Sequence, residues 1–550
     1  MRNGRVLPVS AEDFKAKSAI FLPEKARYDY LLNLPDSEDM GKAINHAVEL
    51  IEEQSAQLKG ILPKNYTILK NSLLRDLLRI FNNSAFNEIQ DDIIGRIYEY
   101  FLNKFAPVVA ADDGVFFTPK SLVRMIVNVI EPTHGTVLDP ACGSGGMFVS
   151  SADFIEQYGA SANTAMTFYG QEKVEYNAQL CLMNMAVHGL NGKILSGNEA
   201  NTFYNDAHSL EGCCDYVMAN PPFNVDKVKS ESAMNAGRLP FGVPSINAAK
   251  EFGNGNYLWI SYFYAYLNEK GRAGFVMASS ATDSSGKDRD IRQKLVETGH
   301  VDVMMSVGNN FFYTKSLPCS IWFFDKGKAE AIQDHVLFID ARNYYTVVDR
   351  TLNEWSEWQL KNLNAIVWLY RGEKEKYAAL LDEYRRHLLH CAVELKSNDV
   401  CHAITPTAAF ADILKAFETY EGEQKQRAKF DVEHVLRKDK KAQQKLWDEK
   451  LSAIADAITV AKEAVWLYEK FGEGEYQDIP GLCKMANREE IAEKNYSLTP
   501  GAYVGVAAVE DDGVDFAQRM GEIHRELLKL QAESDELMQI ISKNMKEMGL

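Results

Sequence analysis

Several features that would place this 550-residue sequence in a familiar class are absent from it. No apolar run approaches the roughly 20 residues of a membrane-spanning helix, so we do not expect a membrane protein. The first residues lead into charged ones rather than into an apolar signal core, and the eight cysteines are scattered. Both observations predict a cytoplasmic protein, because secreted domains carry a signal segment and often paired cysteines.

Positive charge is also scarce, with 60 Lys and Arg against 77 Asp and Glu, a net charge of −17. This balance argues against a protein whose whole surface binds nucleic acid, because the negatively charged phosphates are attracted to cationic surfaces. Residues 224–328 are a local exception, with 13 Lys and Arg against 10 Asp and Glu. If the chain contacts nucleic acid, we expect a partner to neutralise most of the phosphate charge.

Internal repeats and low-complexity tracts are absent as well, so changes of pattern along the chain define its regions. Apolar residues at helical spacing predict a helical N-terminal domain over residues 1–105. Short β-rich runs alternate with helices over residues 106–345. A charged helical region, which we interpret as an insertion, covers residues 346–494, and its residues 372–476 are expected to form a long hairpin. Residues 495–550 make up a C-terminal segment with a last helix.

Strand–helix alternation in the second region predicts an α/β fold, a Rossmann-like domain with a mostly parallel sheet and helices on both faces. The predicted strands are residues 137–139, 167–170, 193–196, 215–219, 274–278, 301–307 and 320–324. The predicted helices between them are residues 148–157, 175–188, 257–268 and 288–298. Ligands of such sheets bind at the carboxyl ends of the strands, where the polar motifs of this sequence fall.

The first motif is a glycine-rich loop that follows a strand ending at Asp139. Gly143, Gly145 and Gly146 let the backbone turn sharply and approach a ligand closely. A helix follows from residue 148, so its N-terminal amides point toward that ligand. The loop therefore predicts a nucleotide-like ligand, although many nucleotide folds share this feature.

The next two strand ends also carry polar residues. Glu172 ends the second strand, where a carboxylate can hold two ribose hydroxyls; the alternative is a helix cap or first-turn charge. Asn198 follows the third strand, where it could accept a hydrogen bond from an adenine amine. The alternative for Asn198 is an ordinary turn residue.

The second motif is Asn220-Pro221-Pro222-Phe223, directly after a buried strand. Two prolines in series stiffen the loop and fix where its carbonyls point. An aromatic amine is a poor nucleophile, because its lone pair is delocalised into the ring. If the Asn220 side-chain oxygen and the Pro221 carbonyl accept its hydrogens, the lone pair becomes available, and Phe223 can stack on the ring. The motif predicts catalysis by positioning and preorganised dipoles; a simple turn is the alternative.

The run Asp139-Pro-Ala-Cys-Gly-Ser-Gly-Gly146, followed by the Asn220 motif, resembles the S-adenosylmethionine-dependent DNA adenine methyltransferases. With Phe116-Phe117-Thr118-Pro119 upstream and the helical flanks, the chain is similar to the methylation subunit of type I restriction–modification systems. This resemblance covers about residues 1–345 and the C-terminal segment. It implies methyl transfer from S-adenosylmethionine to the N6 amine of an adenine flipped out of duplex DNA.

The resemblance also implies roles for individual residues. Catalysis is assigned to Asn220, Pro221, Pro222 and Phe223. Cofactor binding is assigned to Phe116, Phe117, Thr118, Pro119, Asp139, Gly143, Ser144, Gly145, Glu172 and Asn198. Asn198 departs from the family, because many relatives carry Asp there. One cluster of His and Cys residues consists of His387, His390, Cys391, Cys401 and His402. No metal site is predicted, because the spacing of these residues matches no zinc pattern.

The expected partners are duplex DNA, a specificity subunit, a second copy of the methylation subunit and, in a larger assembly, a restriction subunit. The last helix carries an a/d-type apolar stripe for such a partner, formed by Ile523, Leu527, Leu530, Leu537 and Ile541. The alternative is that the stripe packs on this chain's own helical domain. Two other functions stay open: methylation of a protein glutamine, and a scaffold that kept the fold without activity.

Overall fold

The computed structural model describes residues 11–15, 19–82, 101, 118–312, 316–436, 438–506, 520, 521, 524, 525, 527–531, 534, 535, 537 and 538. The chain divides into one compact unit, Met1–Gly505, and a second unit, Val506–Leu550, whose described residues from 520 onward are helical. Across these described residues, no helix combines the length and the apolar character needed to cross a membrane.

The described N-terminal residues are helical, as predicted. The helices are α1 (Ala11–Lys15), α2 (Tyr28–Leu32), α3 (Met40–Gln54) and α4 (Asn71–Phe81). Asp39 begins α3 by accepting a hydrogen bond from the backbone N–H of Lys42 at 3.1 Å, which satisfies an amide that lacks a helical partner. Residues 83–100 and 102–105 of the predicted helical domain lie outside the described residues.

A nine-stranded sheet organises the larger unit, in the order β13-β10-β8-β9-β7-β4-β1-β2-β3. Its strands are β1 (Gly135–Asp139), β2 (Met166–Glu172), β3 (Gly192–Ser196), β4 (Cys214–Ala219), β7 (Leu267–Ala278), β8 (Val301–Val307), β9 (Cys319–Asp325), β10 (His335–Asp340) and β13 (Cys483–Asn487). The strands β9 and β13 run against the other seven. Two short ribbons pair β5 (Val228–Lys229) with β6 (Glu251–Phe252), and β11 (Thr346–Val347) with β12 (Asn353–Glu354).

Helices cover both faces of this sheet, which confirms the predicted fold class. The helices before residue 300 are α5 (Lys120–Ile130), α6 (Gly146–Gln157), α7 (Ala162–Ala165), α8 (Glu175–Val187), α9 (Ser230–Asn235), α10 (Asn256–Tyr266) and α11 (Lys287–Glu297). Successive strand residues point to opposite faces. Accordingly, Val137 and Met218 belong to the apolar core that includes α5 and α6, whereas Leu138 and Val217 belong to the core that includes α10 and α11.

The described residues in the C-terminal half of the larger unit form six helices. They are α12 (Glu357–Arg371), α13 (Lys374–Glu394), α14 (Asn398–Ala403), α15 (Phe410–His434), α16 (Lys440–Phe471) and α17 (Arg488–Glu493). The hairpin expected over residues 372–476 is shorter than predicted: α15 and α16 pack along each other, whereas α13 and α14 are separate helices before them. The region after residue 345 also completes the sheet, since β13 pairs with β10 and α12 packs on α5. The division of the chain into four regions stays a prediction.

Candidate functional site

Three of the predicted site residues lie at one edge of the sheet. The strands β2, β1 and β4 are neighbours and run in parallel, so their carboxyl ends meet. Asp139 ends β1 and Glu172 ends β2, while Asn220 directly follows β4. The fold therefore brings the glycine-rich loop and the Asn-Pro-Pro-Phe motif to the same edge, although more than 70 residues separate them in sequence.

The glycine-rich loop depends on residues without a side chain. Gly143 and Gly145 have φ angles of 51° and 79°, in the left-handed region that glycine tolerates best. A Cβ atom on Gly145 would lie 2.7 Å from the Sγ atom of Cys181. Gly145 also precedes the first residue of α6, so the unpaired amides at the start of that helix lie directly after the loop.

Glu172 links the loop to the end of the second strand. Its Oε2 atom accepts a hydrogen bond from the N–H of Gly143 at 3.0 Å, and its Oε1 atom accepts one from the N–H of Val174 at 2.8 Å. Burial raises the pKa of Glu172 above its ordinary value, against the lowering effect of these bonds and of the Asn177 side chain. Each carboxylate oxygen keeps lone pairs for a further donor.

Two asparagines on α8 support this arrangement and were not predicted. Asn184 is 2% exposed, and its Nδ2 atom donates to the carbonyl of Ser144 at 2.9 Å. Asn177 is 8% exposed, and its side chain lowers the pKa of Glu172. The available signal was the spacing of seven residues between Asn177 and Asn184, which places both on one face of the helix. A buried polar side chain needs a partner.

Asp139 is buried at the end of β1. Its Oδ1 atom accepts a hydrogen bond from the N–H of Ala141 at 3.0 Å. Burial raises the pKa of Asp139 to about 8, with a further increase from the nearby negative charge of Glu172. At neutral pH this carboxyl therefore holds a proton, so two adjacent negative charges are avoided.

We expect this carboxyl to make the folded chain less stable as pH rises toward about 8. The unfolded chain releases the proton above about pH 4, whereas the folded chain keeps it, so folding takes up a proton in this interval. The effect is at most about 1.4 kcal/mol for each pH unit. Denaturant unfolding at pH 5 and pH 8 measures it, and the Asp139→Asn variant should show the smaller loss. Equal losses in both proteins would contradict the assignment.

Asn220 presents the most informative geometry of the site. Its Nδ2 atom donates to the Oγ1 atom of Thr118 at 3.0 Å. Its Oδ1 atom is buried and has no hydrogen-bond partner among the described residues. An unpaired buried acceptor costs about 1–3 kcal/mol, so this oxygen is suited to a ligand that brings its own N–H donor.

The rest of the motif provides rigid and aromatic surroundings. Pro221 is buried, Pro222 is exposed and Phe223 is half-buried. The Phe223 ring meets the ring of Phe312 edge-on, with centroids 6.2 Å apart and planes at 85°. Phe312 was not predicted as a site residue.

The remaining predicted residues differ in what the structure shows. Thr118 and Pro119 immediately precede α5, and the Thr118 hydroxyl meets the Asn220 amide. Asn198 is exposed just after β3, and the N–H of its neighbour Gly197 donates to the carbonyl of Glu172 at 3.1 Å. Phe116 and Phe117 lie outside the described residues.

Comparison with known proteins identifies the family of this chain. The model of the N-6 DNA methylase family matches residues 89–386 and 369–512, and that of the HsdM N-terminal domain matches residues 8–81. The type I restriction enzyme MjaIX methylase subunit of Methanocaldococcus jannaschii is 29% identical over 99% of this chain and 80% of its own length. The HindI methylase subunit of Haemophilus influenzae is 28% identical over 93% of both chains.

A solved structure of a type I methyltransferase subunit has a similar fold. The crystal structure of the type I restriction–modification methyltransferase subunit from Streptococcus thermophilus superposes with a TM-score of 0.57 at 16% identity, covering 90% of this chain and 83% of that one. At this identity the likeness shows a shared fold. The comparisons favour neither a glutamine methyltransferase nor an inactive scaffold. The chain belongs to the N-6 DNA methylase family and is an adenine-specific DNA methyltransferase of the type I methylase-subunit class.

Proposed function

We propose that this chain transfers a methyl group from S-adenosylmethionine to the N6 amine of adenine in duplex DNA, within a type I restriction–modification complex. One observation carries the proposal: the buried Oδ1 atom of Asn220 lacks a partner among the described residues, at the same sheet edge as Glu172 and the glycine-rich loop. Family membership supports the adenine amine as the donor that this oxygen accepts.

The loop edge fits S-adenosylmethionine. Gly143 and Gly145 of the loop adopt left-handed φ angles, and a side chain on Gly145 would collide with Cys181. The Glu172 carboxylate has lone pairs for two ribose hydroxyls. Asp139 and Asn198 lie at the ends of the same group of strands, and Thr118 and Pro119 lie immediately before α5. When bound, S-adenosylmethionine supplies a methyl group activated by its positively charged sulfur.

The Asn220 motif then acts on the substrate amine. The Asn220 oxygen and the Pro221 carbonyl accept its two hydrogens, which draws the nitrogen toward tetrahedral geometry and frees its lone pair. Phe223 stacks on the adenine ring and holds it beside these acceptors. In a duplex the adenine must first leave the base stack, since the amine is otherwise out of reach.

Replacing Glu172 with Ala should weaken S-adenosylmethionine binding by about 10- to 150-fold, because hydrogen bonds to a charged acceptor contribute about 1.5–3 kcal/mol. Calorimetry with the purified chain measures this directly. Glu175→Ala is the matched control, since Glu175 is exposed three residues later and removes the same charge. If Glu172→Ala binds as tightly as this control, Glu172 serves only the start of α8.

The proposed reaction is tested with labelled S-adenosylmethionine and duplex DNA, with and without chains that copurify. We expect N6-methyladenine in the product DNA, identified by mass spectrometry after digestion. Label that enters protein instead would identify a protein amide as the substrate. An absence of label in either acceptor, with normal cofactor binding, would support the inactive scaffold.

Assembly with a specificity subunit is proposed for recognition of the DNA site, together with a second methylation subunit and, for cleavage, a restriction subunit. The last helix supports a docking role, because Leu527, Leu530 and Leu537 are 55–59% exposed. Ile523 and Ile541, which complete the predicted stripe, lie outside the described residues. We place the reaction in the cytoplasm, where we expect the proposed DNA substrate to be encountered.

A further inference from the structure

Contacts with the sheet show in which direction the helices after residue 345 run. The first helix, α12, begins near the carboxyl ends of β8 and β10. Just before it, the N–H of Asn353 donates to the carbonyl of Asn310, which follows β8, at 2.7 Å. The side chain of Trp355 donates to the carbonyl of Tyr344, which follows β10, at 2.8 Å. The helix ends at the opposite edge, where Arg371 meets Asp302 near the amino end of β8. Thus α12 runs against the parallel strands.

The next helices run back toward the carboxyl edge. The His387 ring of α13 meets Trp358, near the start of α12, with centroids 5.1 Å apart. At the start of α15, Phe410 packs on Tyr384 of α13 with centroids 6.1 Å apart. The helix α15 therefore passes the carboxyl edge within about one turn of its first residue. Its remaining length of about 30 Å lies beyond that edge.

The returning helix α16 gives an independent measure of how far the hairpin extends beyond the carboxyl edge of the sheet. Trp466 stacks on Tyr344, four residues after the end of β10, with centroids 4.2 Å apart. Glu463 also bonds to the Tyr344 hydroxyl. The helix begins at Lys440, so about 35 Å of it precedes this contact, at 1.5 Å per residue. Both helices place the hairpin end about 30 Å beyond the sheet edge at which Asn220 lies.

The outer part of this hairpin is basic in an acidic protein. Residues 424–450 contain nine Lys and Arg against five Asp and Glu, whereas the whole chain has a net charge of −17. Lys429, Lys438, Lys440 and Lys441 are exposed, and no carboxylate of the described residues forms an ion pair with them. Lysines near the sheet are different, since Lys361, Lys374 and Lys376 are all paired.

The two helices are joined firmly enough to hold these lysines in place. Ala428 and Trp447 are buried between the helices, and Lys450 donates to the buried Gln424 at 2.9 Å. A supported group of unpaired cations is a surface on which anions bind without first breaking ion pairs.

We infer that the end of the α15–α16 hairpin binds the phosphate backbone of duplex DNA beside the base that enters the Asn220 site. This inference rests on the proposed function, which makes duplex DNA the substrate at that edge. Phosphate contacts position a protein on DNA without reading its sequence, so the hairpin orients the duplex and the choice of site lies elsewhere. It also supplies positive charge in a chain whose net charge is −17.

A protein partner is the competing occupant. Phe430, Leu436 and Leu446 are 61–67% exposed on the same part of the hairpin. The observations favour DNA, because the excess charge is positive and the hairpin extends on the substrate side of the sheet. Lys425 and Lys445 are paired with Glu421 and Glu449, but the four lysines named above have no ion-pair partner among the described residues. The test below therefore includes these apolar residues.

The test uses the chain with any subunits that copurify, and a Lys440→Gln/Lys441→Gln variant. Binding to labelled duplex DNA is measured by fluorescence anisotropy at several salt concentrations. Each lost phosphate contact should reduce the slope of log K against log salt by about 0.9, so a reduction of about 1.8 is expected. The kcat at saturating DNA should stay unchanged, while the KM for DNA rises. Lys270→Gln/Lys374→Gln is the control, since it removes the same charge at the opposite sheet edge.

An unchanged slope in the hairpin variant, or an equal loss in the control, would overturn the inference. A second result would also overturn it: a Leu436→Ser/Leu446→Ser variant loses a copurifying subunit while the lysine variant keeps the wild-type salt slope. That result would show that the hairpin binds a protein. Failure of the proposed function is separate: the wild-type complex would then bind duplex DNA with its full salt slope and transfer no methyl group.

Discussion

Replacing Asn220 with Ala should lower the rate of methyl transfer by about 100- to 1,000-fold, the range observed when one preorganised hydrogen-bonding group is removed from an active site. The reason is that the buried Oδ1 atom, unpaired among the described residues, is lost as an acceptor for the substrate amine. Single-turnover kinetics measures the rate, and calorimetry should show unchanged affinity for S-adenosylmethionine. A loss below about tenfold, or 1.4 kcal/mol, would contradict the proposed role.

Two further variants separate the chemistry of Asn220 from its position. Asn220→Asp keeps an acceptor oxygen and should retain more activity than Asn220→Ala. Thr118 accepts a hydrogen bond from the Asn220 amide nitrogen at 3.0 Å, which turns the amide oxygen toward the site. Thr118→Val should therefore lower kcat, and Thr118→Ser, which keeps the hydroxyl, should restore it. Equal rates for the Val and Ser variants would remove Thr118 from this positioning role.

Replacing Asp302 with Asn should reduce the free energy of unfolding by about 3–5 kcal/mol, because removal of one member of a buried ionic group leaves the others uncompensated. The Asp302 carboxylate is 1% exposed and lies 2.7 Å from Arg371 and 3.9 Å from Lys328. Burial raises the pKa of Asp302, but the two cations more than offset this and hold that pKa below its ordinary value. Burial lowers the pKa of Lys328 to about 8.

This ionic group connects four elements of the larger unit. Arg371 ends α12 and also donates to the carbonyl of Val129 in α5 at 2.8 Å. Lys328 donates to the carbonyls of Val301 in β8 and His335 in β10. Loss of the carboxylate should therefore weaken the attachment of the C-terminal helices to the sheet.

Denaturant unfolding measures the effect of Asp302→Asn, with Asp334→Asn as the matched control. Asp334 pairs with Arg488 at 2.6 Å, but both side chains are about half exposed. Exposed pairs contribute about 0–1 kcal/mol, so the control should remain close to the wild type. A similar small change for Asp302→Asn would show that the buried group does not hold these elements together.

The local pattern of the sequence was sufficient to predict most strands of the sheet. All seven predicted strands are present, because each is a short run rich in β-forming residues, and the helices between them carry a helical apolar spacing. β10 was missed although Val336–Ile339 is continuously apolar and buried. β13 had a weaker signal, since Lys484 and Met485 are half-buried and the strand lies at the sheet edge.

The sequence by itself determined the fold class and which residues could form the site, because glycines in a turn, an acid at a strand end and paired prolines each act through their own local geometry. Only the tertiary structure decided which of these groups meet. The contact of Thr118 with Asn220 spans 102 residues, and Asn184 supports Ser144 from 40 residues away. Likewise, the direction of the hairpin follows from packing on α12 and Tyr344. Such contacts depend on how distant elements pack together, and a pattern within one segment does not contain that information.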